Sequence, residues 1–340
     1  MEHRHKLTLI ITLTSLSASA IISLLLFYFL RRKTRNAPPT DKEAAFGCKE
    51  EAPVSTGDLI RFRGGENLGV EDILEAPGEV IGKSSYGTVY KACLDGSNSL
   101  ALLRFLRPTC TLSGKEVKPI VELLGSVRHP NLVPLNAFYA GPRGEKLTVH
   151  PFHGNGNLAQ FIRDGNKNPE AHRWPTICRI ATGIARGVHH LHTRPLIHGN
   201  LKSKNIFLDF HHNPRVSDYG LFLLLNPTAG QHMLEVSASE GYKPPELIKM
   251  REACEESDVY SLGVIFLELL TGKKPILDRD FYLPSAYRPE IVEGMGEDRR
   301  AAVEDGILRY FQLAKACCSP SRVLRPDIKQ VLKGLEEIDK

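Results

Sequence analysis

Near residue 150 the chain changes its hydrophobic period, and that switch limits what it can fold into more than any other feature. Before it, short β-branched or apolar runs at 79–81, 88–93, 100–106 and 146–149 are separated by turn signals, the pattern of a small antiparallel sheet. One helical stretch interrupts them at 119–127, with Pro119 suited to a first turn and His129-Pro130 a stop signal. After the switch, apolar positions recur at helical spacing, most clearly at 175–191, 257–271 and 307–318. A β-rich part followed by an α-rich part predicts an α+β fold in two lobes, 66–150 and 151–338. The chain has 340 residues, enough to bury a core in each lobe, and it contains no internal repeat of the kind a solenoid needs.

Residues 7–30 carry no charged side chain. As a helix they rise about 36 Å, enough to cross a hydrocarbon layer of about 30 Å, so a single transmembrane helix is expected there. Ala18-Ser19-Ala20 also has the small-residue pattern of a signal-peptidase site, which makes a cleaved leader the competing reading. Arg31, Arg32, Lys33 and Arg35 outnumber Arg4 and Lys6, placing the C-terminal side in the cytoplasm and residues 1–6 outside. Set against Glu2, these cations account for the whole formal charge of +5. The remainder is balanced and offers no basic face to a nucleic acid. Pro38-Pro39, Pro53 and scattered charges make residues 31–65 a basic juxtamembrane segment and flexible linker. Seven cysteines without paired spacing fit a reducing compartment better than a disulfide framework.

Residues 81–92, IGKSSYGTVYKA, read as strand, Gly-containing turn and strand, an arrangement by which backbone amides approach phosphates. IHGNLKSKN at 197–205, VSDYG at 216–220, GYKPPE at 241–246, SDVYSLG at 257–263 and Arg325-Pro326 follow in order. Through these motifs, residues 66–338 resemble protein kinases, most closely the intracellular domains of plant leucine-rich-repeat receptor-like kinases and their short inactive relatives without an ectodomain. The resemblance implies the two-lobed protein-kinase fold, ATP with Mg as the ligand of the intact family, and a role in signalling at the plasma membrane.

The resemblance also assigns positions, several of which carry altered chemistry. In the Gly-rich loop Gly82 and Gly87 match, while Ser84 replaces the middle glycine and obstructs close approach of phosphate. The family's Ala-x-Lys strand is read as Ala101 and Leu103, which removes the ATP-orienting Lys. Alternation then turns Arg104 to the opposite face unless the strand slips by one residue. The partner Glu of the αC helix is read as Ile120; Glu122 is turned roughly 200° away, and Glu116 roughly 40° but a turn earlier. Replacing both ends of an ion pair avoids stranding a buried charge, so an apolar Leu103–Ile120 contact is expected. His-Arg-Asp reads His198-Gly199-Asn200: the base becomes a neutral amide, and the Arg able to hold an activation-loop phosphate is gone.

Other assigned positions are kept. Lys202 matches the residue near the transferred phosphate, and Asn205 and Asp218 the two metal positions. Val89, Ala101 and Phe207 match the residues enclosing adenine, with His150 behind it and a hinge running to His153. Leu124, Leu135, His198 and Tyr219 match a stack joining the lobes, Glu246 and Arg325 a C-lobe ion pair, and Asp258 a brace beneath the catalytic loop. The expectation is a membrane-anchored pseudokinase that serves other receptor-like kinases or their substrates as scaffold or allosteric partner. Loss of general-base catalysis alone costs about 10²- to 10⁴-fold. Two readings compete: a slow Ser/Thr kinase in which Arg104, Glu116 and a water substitute for the missing groups, and a nucleotide-binding switch without transfer.

Overall fold

Six antiparallel strands form the first lobe, in the order β1-β5-β6-β4-β3-β2. They are β1 (Asp58–Arg61), β2 (Gly78–Lys83), β3 (Gly87–Leu94), β4 (Ser99–Leu106), β5 (Ala137–Ala140) and β6 (Lys146–Pro151). The computed structural model describes residues 57–94, 99–164, 169–275 and 279–338. The expected span at 7–30, the segment 1–6 and the linker up to residue 56 lie outside the described residues. Among the described residues, no helix is long and apolar enough to cross a membrane.

The sheet begins before residue 66, inside the stretch read as linker. β1 pairs with β5 from Asp58 opposite Ala140 to Arg61 opposite Ala137. With polar residues at both ends and only two apolar ones between, this edge strand has too little alternation to stand out. One face of the sheet is covered by the short helix α1 (Val70–Leu74), whose Ile73 joins Ala92, Leu94, Ala101, Leu103 and Val149 in a small outer core. The other face sends Leu106 and Phe138 into the main core beside Val117, Val121 and Leu124 of α2 (Gly114–Ser126).

Helix α2 starts five residues before the expected position. Ser113 precedes it, its hydroxyl donating to Glu116 Oε2 at 2.8 Å. Pro119 therefore lies in the second turn, where its missing N–H forfeits a single bond to the preceding turn.

The second lobe is helical: α3 (Leu158–Arg163), α4 (Trp174–His192), α5 (Pro227–Ser239), α6 (Glu255–Thr271), α7 (Glu297–Cys317) and α8 (Ile328–Ile338), with a ribbon of β7 (Ile206–Leu208) and β8 (Pro214–Val216). The helices expected at 175–191, 257–271 and 307–318 form; α5 was not expected. Helix α6 is apolar nearly all round and almost wholly buried, as a central core helix must be. Its first turn carries Asp258, whose carboxylate accepts the His198 amide at 2.8 Å, the Gly199 amide at 2.9 Å and His192 Nε2 at 3.1 Å. Arg325 holds Glu246 through two parallel bonds of 2.6 and 2.8 Å. Leu124, Leu135 and Tyr219 share the main core with fully buried His198 nearby, and the Tyr219 hydroxyl donates to the Val133 carbonyl at 3.0 Å. These contacts fix the floor on which the site is built.

Candidate functional site

Between the sheet and the helical lobe lies a cavity of about 680 Å³. Its roof is the β2–β3 turn. Ser84 closes that turn, its backbone N–H donating to the Gly87 carbonyl at 2.9 Å while its Oγ accepts the Gly87 N–H at 3.1 Å. A Cβ on Gly87 would come within 2.4 Å of the Phe105 carbonyl oxygen, so the close approach of β4 requires glycine there. Gly82, Ser84 and Val89 line the cavity; Gly87 does not.

Strand β4 supplies the back wall, one residue out of the frame read from sequence. Arg104 pairs with Val89 and Leu102 with Lys91. Leu102 and Arg104 line the cavity, while Ala101 and Leu103 point into the outer core. The ALLR run puts apolar residues on both faces, so alternation alone could not choose between them. Arg104 Nη2 donates to Asp218 Oδ1 at 2.6 Å, and the two side chains are only 11% and 12% exposed. The expected Leu103–Ile120 contact does not form, since Leu103 lies on the outer face of the sheet and Ile120 packs against the main core. Glu116 and Glu122 are both exposed, and neither is bonded to Arg104.

The floor is set by the loop before β7 and the turn after β8. Asn200 is 4% exposed, and its Oδ1 has no hydrogen-bond partner among the described residues. Asn205 Nδ2 donates to the Asn200 carbonyl at 3.0 Å, and Ser217 returns two bonds to the Asn205 carbonyl. Asp218 adopts a left-handed conformation, φ 63°, which a short polar side chain tolerates. Lys202 Nζ donates to Glu240 Oε2 at 2.8 Å, and Lys204 holds the other carboxylate oxygen. Phe207 lines the cavity below Val89's side of the sheet, with the His153 ring 6.2 Å away. Burial lowers the His153 pKa.

His150 sits behind the wall rather than in it, opposite Leu102 in the ladder. Its Nδ1–H donates to the Pro134 carbonyl at 2.9 Å, which leaves Nε2 to accept the Thr148 hydroxyl at 3.1 Å. Desolvation pushes its pKa down to about 4, so the imidazole is neutral at biological pH.

Helix α5 closes the mouth of the cavity with His232, Met233 and Val236. Asn226 caps it, accepting the Ala229 amide at 2.9 Å, and Pro227 fills the first helical position. The Asn-Pro pair was a readable start signal. Ser85 Oγ meets His232 Nδ1 at 2.9 Å, tying the roof to α5. Below, Gly199 has φ 75°, and a Cβ there would fall 2.5 Å from Phe222 Cδ1. No side chain fits at that point.

Residues 76–334 match the family model of the protein kinase domain. Over 94% of its length the chain is 36% identical to the kinase-like protein TMKL1 of Arabidopsis thaliana, of which it covers 50%. The chain belongs to the protein kinase family, among the plant receptor-like kinases. Other Arabidopsis relatives are named as leucine-rich-repeat receptor-like kinases or as inactive receptor kinases, and the chain spans about half or less of their length. Its kinase fold is similar to the maize SIRK1 kinase domain bound to AMP-PNP, with a TM-score of 0.71, 31% identity, and coverage of 83% of this chain and 100% of that one. It is also similar to the pseudokinase domain of BIR2, an immune regulator, with a TM-score of 0.66, 27% identity, and coverage of 84% and 91%.

The kinase family carries a divalent cation between Asp218's position and that of Asn205. Here the Arg104 guanidinium bonds Asp218 Oδ1, while Asn205 donates its amide N–H to the Asn200 carbonyl and keeps its Oδ1 as an oxygen donor. A divalent cation needs several oxygen donors and would meet the fixed charge of Arg104. With Arg104 bonded to Asp218, Asn205 alone does not make up a divalent site.

Proposed function

We propose that this chain is a pseudokinase of receptor-kinase signalling, acting by binding rather than by phosphoryl transfer. The observation that carries the reading is Asn200, a buried neutral amide where the family places the carboxylate that accepts the substrate's proton. An amide oxygen is far too weak a base for that step, and the loss is about 10²- to 10⁴-fold. The Arg104–Asp218 and Lys202–Glu240 pairs support it, because both hold transfer-competent groups away from a substrate. So does α5, which stands at the cavity mouth. The fold then serves as a scaffold or allosteric partner for other receptor-like kinases or their substrates. The anchor in this proposal is a single membrane span at residues 7–30, with the kinase-like domain on the cytoplasmic side.

The test is transfer of labelled γ-phosphate by the purified chain, with Mg²⁺ and with Mn²⁺, to itself and to a generic basic substrate. Incorporation is expected to match that of an Asp218→Ala variant. Transfer clearly above that background and abolished by Asp218→Ala would sink the proposal. Partner capture from plant membranes is expected to recover receptor-like kinases, and their absence would count against the scaffold role.

A further inference from the structure

The cavity is lined by two chemically different sets of side chains. Val89 and Leu102 from the sheet and Phe207 from below give apolar walls suited to a planar ring. Lys83, Arg104, Lys202 and Lys204 line the same space, and the two carboxylates among them, Asp218 and Glu240, are already bonded to these cations. A cavity of about 680 Å³ that combines apolar walls with these cations matches a ring-bearing polyanion. In the kinase family the charge of such a ligand is offset by a divalent cation, which the arrangement around Asp218 does not fit.

Arg104 supplies what the metal would. Of its five N–H donors, a single one is bonded among the described residues, to Asp218. None of its nitrogens is a buried atom without a partner, and the residue lines the cavity, so the remaining donors open toward a ligand. A guanidinium offers phosphate oxygens paired donors in a fixed plane, whereas a lysine offers a point charge. We propose that the cleft holds a nucleoside polyphosphate without a divalent cation, the guanidinium of Arg104 standing in the metal's place and bridging Asp218 to the phosphates. The proposal rests on the reading that no transfer follows, since it assigns Asp218 to holding Arg104 rather than to holding a metal.

The experiment is a fluorescence titration of the purified full chain with N-methylanthraniloyl-ATP, first in EDTA and then in excess MgCl₂. Saturable binding is expected in EDTA, with Kd changed by less than about threefold on adding Mg²⁺. Arg104→Leu is expected to weaken binding in EDTA by at least about tenfold. Asp218→Asn removes the carboxylate that positions Arg104 but leaves the guanidinium in the cavity. Saturable binding in EDTA is therefore expected to persist with a Kd raised by less than in Arg104→Leu, and this arm decides the matter should Arg104→Leu fail to melt cooperatively. Binding that appears only with Mg²⁺ and is lost in Asp218→Asn would overturn the proposal, as would no saturable binding in either buffer. Phosphate transfer is followed separately with labelled ATP. Its appearance counts against the non-transferring reading, while metal dependence alone decides this one.

Discussion

A neutral imidazole with both nitrogens bonded accepts a further proton only by breaking one of those bonds, and His150 is in that position. Its pKa falls from 6.5 to about 4 on folding, so the unfolded chain takes up a proton first as pH drops. Stability is fully present above pH 6.5 and is lost as pH falls toward 4. Between pH 7 and pH 5 this group should account for a loss of about 2 kcal/mol, and urea titrations of wild type and His150→Leu at the two pH values should differ in their acid sensitivity by that amount. Gly199 makes a second case. Restoring the family's arginine with Gly199→Arg forces a side chain onto a left-handed backbone and into Phe222, and should lower stability by at least about 2 kcal/mol in the same titration. At this scale the sequence was readable wherever a motif pinned the register: Asn200, Lys202, Asn205 and Asp218 all lie on the floor of the cavity. It failed at Arg104, where three preceding apolar residues satisfy either face and the deciding partner is 114 residues away.

Among the elements, α5 is tied down at its start by a single residue. Asn226 caps its first turn and also donates to the Thr109 carbonyl at 2.8 Å, joining the helix start to the first lobe. Asn226→Ala should cost about 1 kcal/mol and raise amide exchange across 227–239. Because Ser85 is bonded to His232, exchange should rise in the 84–87 turn as well. Protection unchanged in that turn would show the roof to be independent of α5. Long helices such as α4 and α6 were legible from period alone, for their burial is set by many residues at once. Helix α5 was not, since most of its positions are small or polar and its one clear signal is the Asn-Pro start. Pro119 misled for a related reason: proline favours a first turn, but α2 tolerates it one turn further in.

For the molecule as a whole, the question is where the folded unit begins. Strand β1 contributes Leu59 to the outer core and Ile60 to the main one, and Phe62 covers Gly125 of α2. A chain starting at residue 66 forfeits all three and uncovers β5. It should therefore unfold in urea with roughly 3 kcal/mol less stability than a chain starting at residue 57. Equal stability would mean that β1 is an ornament on a sheet complete without it. The two-lobed plan itself was visible from the change of period, because layer architecture follows from which faces are apolar. Helix α5 touches the cavity roof through His232, and the floor's lysines through Glu240 just past its end, while Thr228, Glu235 and Ser239 face solvent. Whatever enters the cavity and disturbs those bonds must change how α5 presents that outer face. By thermodynamic reciprocity, a protein gripping the outer face must change the affinity of the cavity by the same factor.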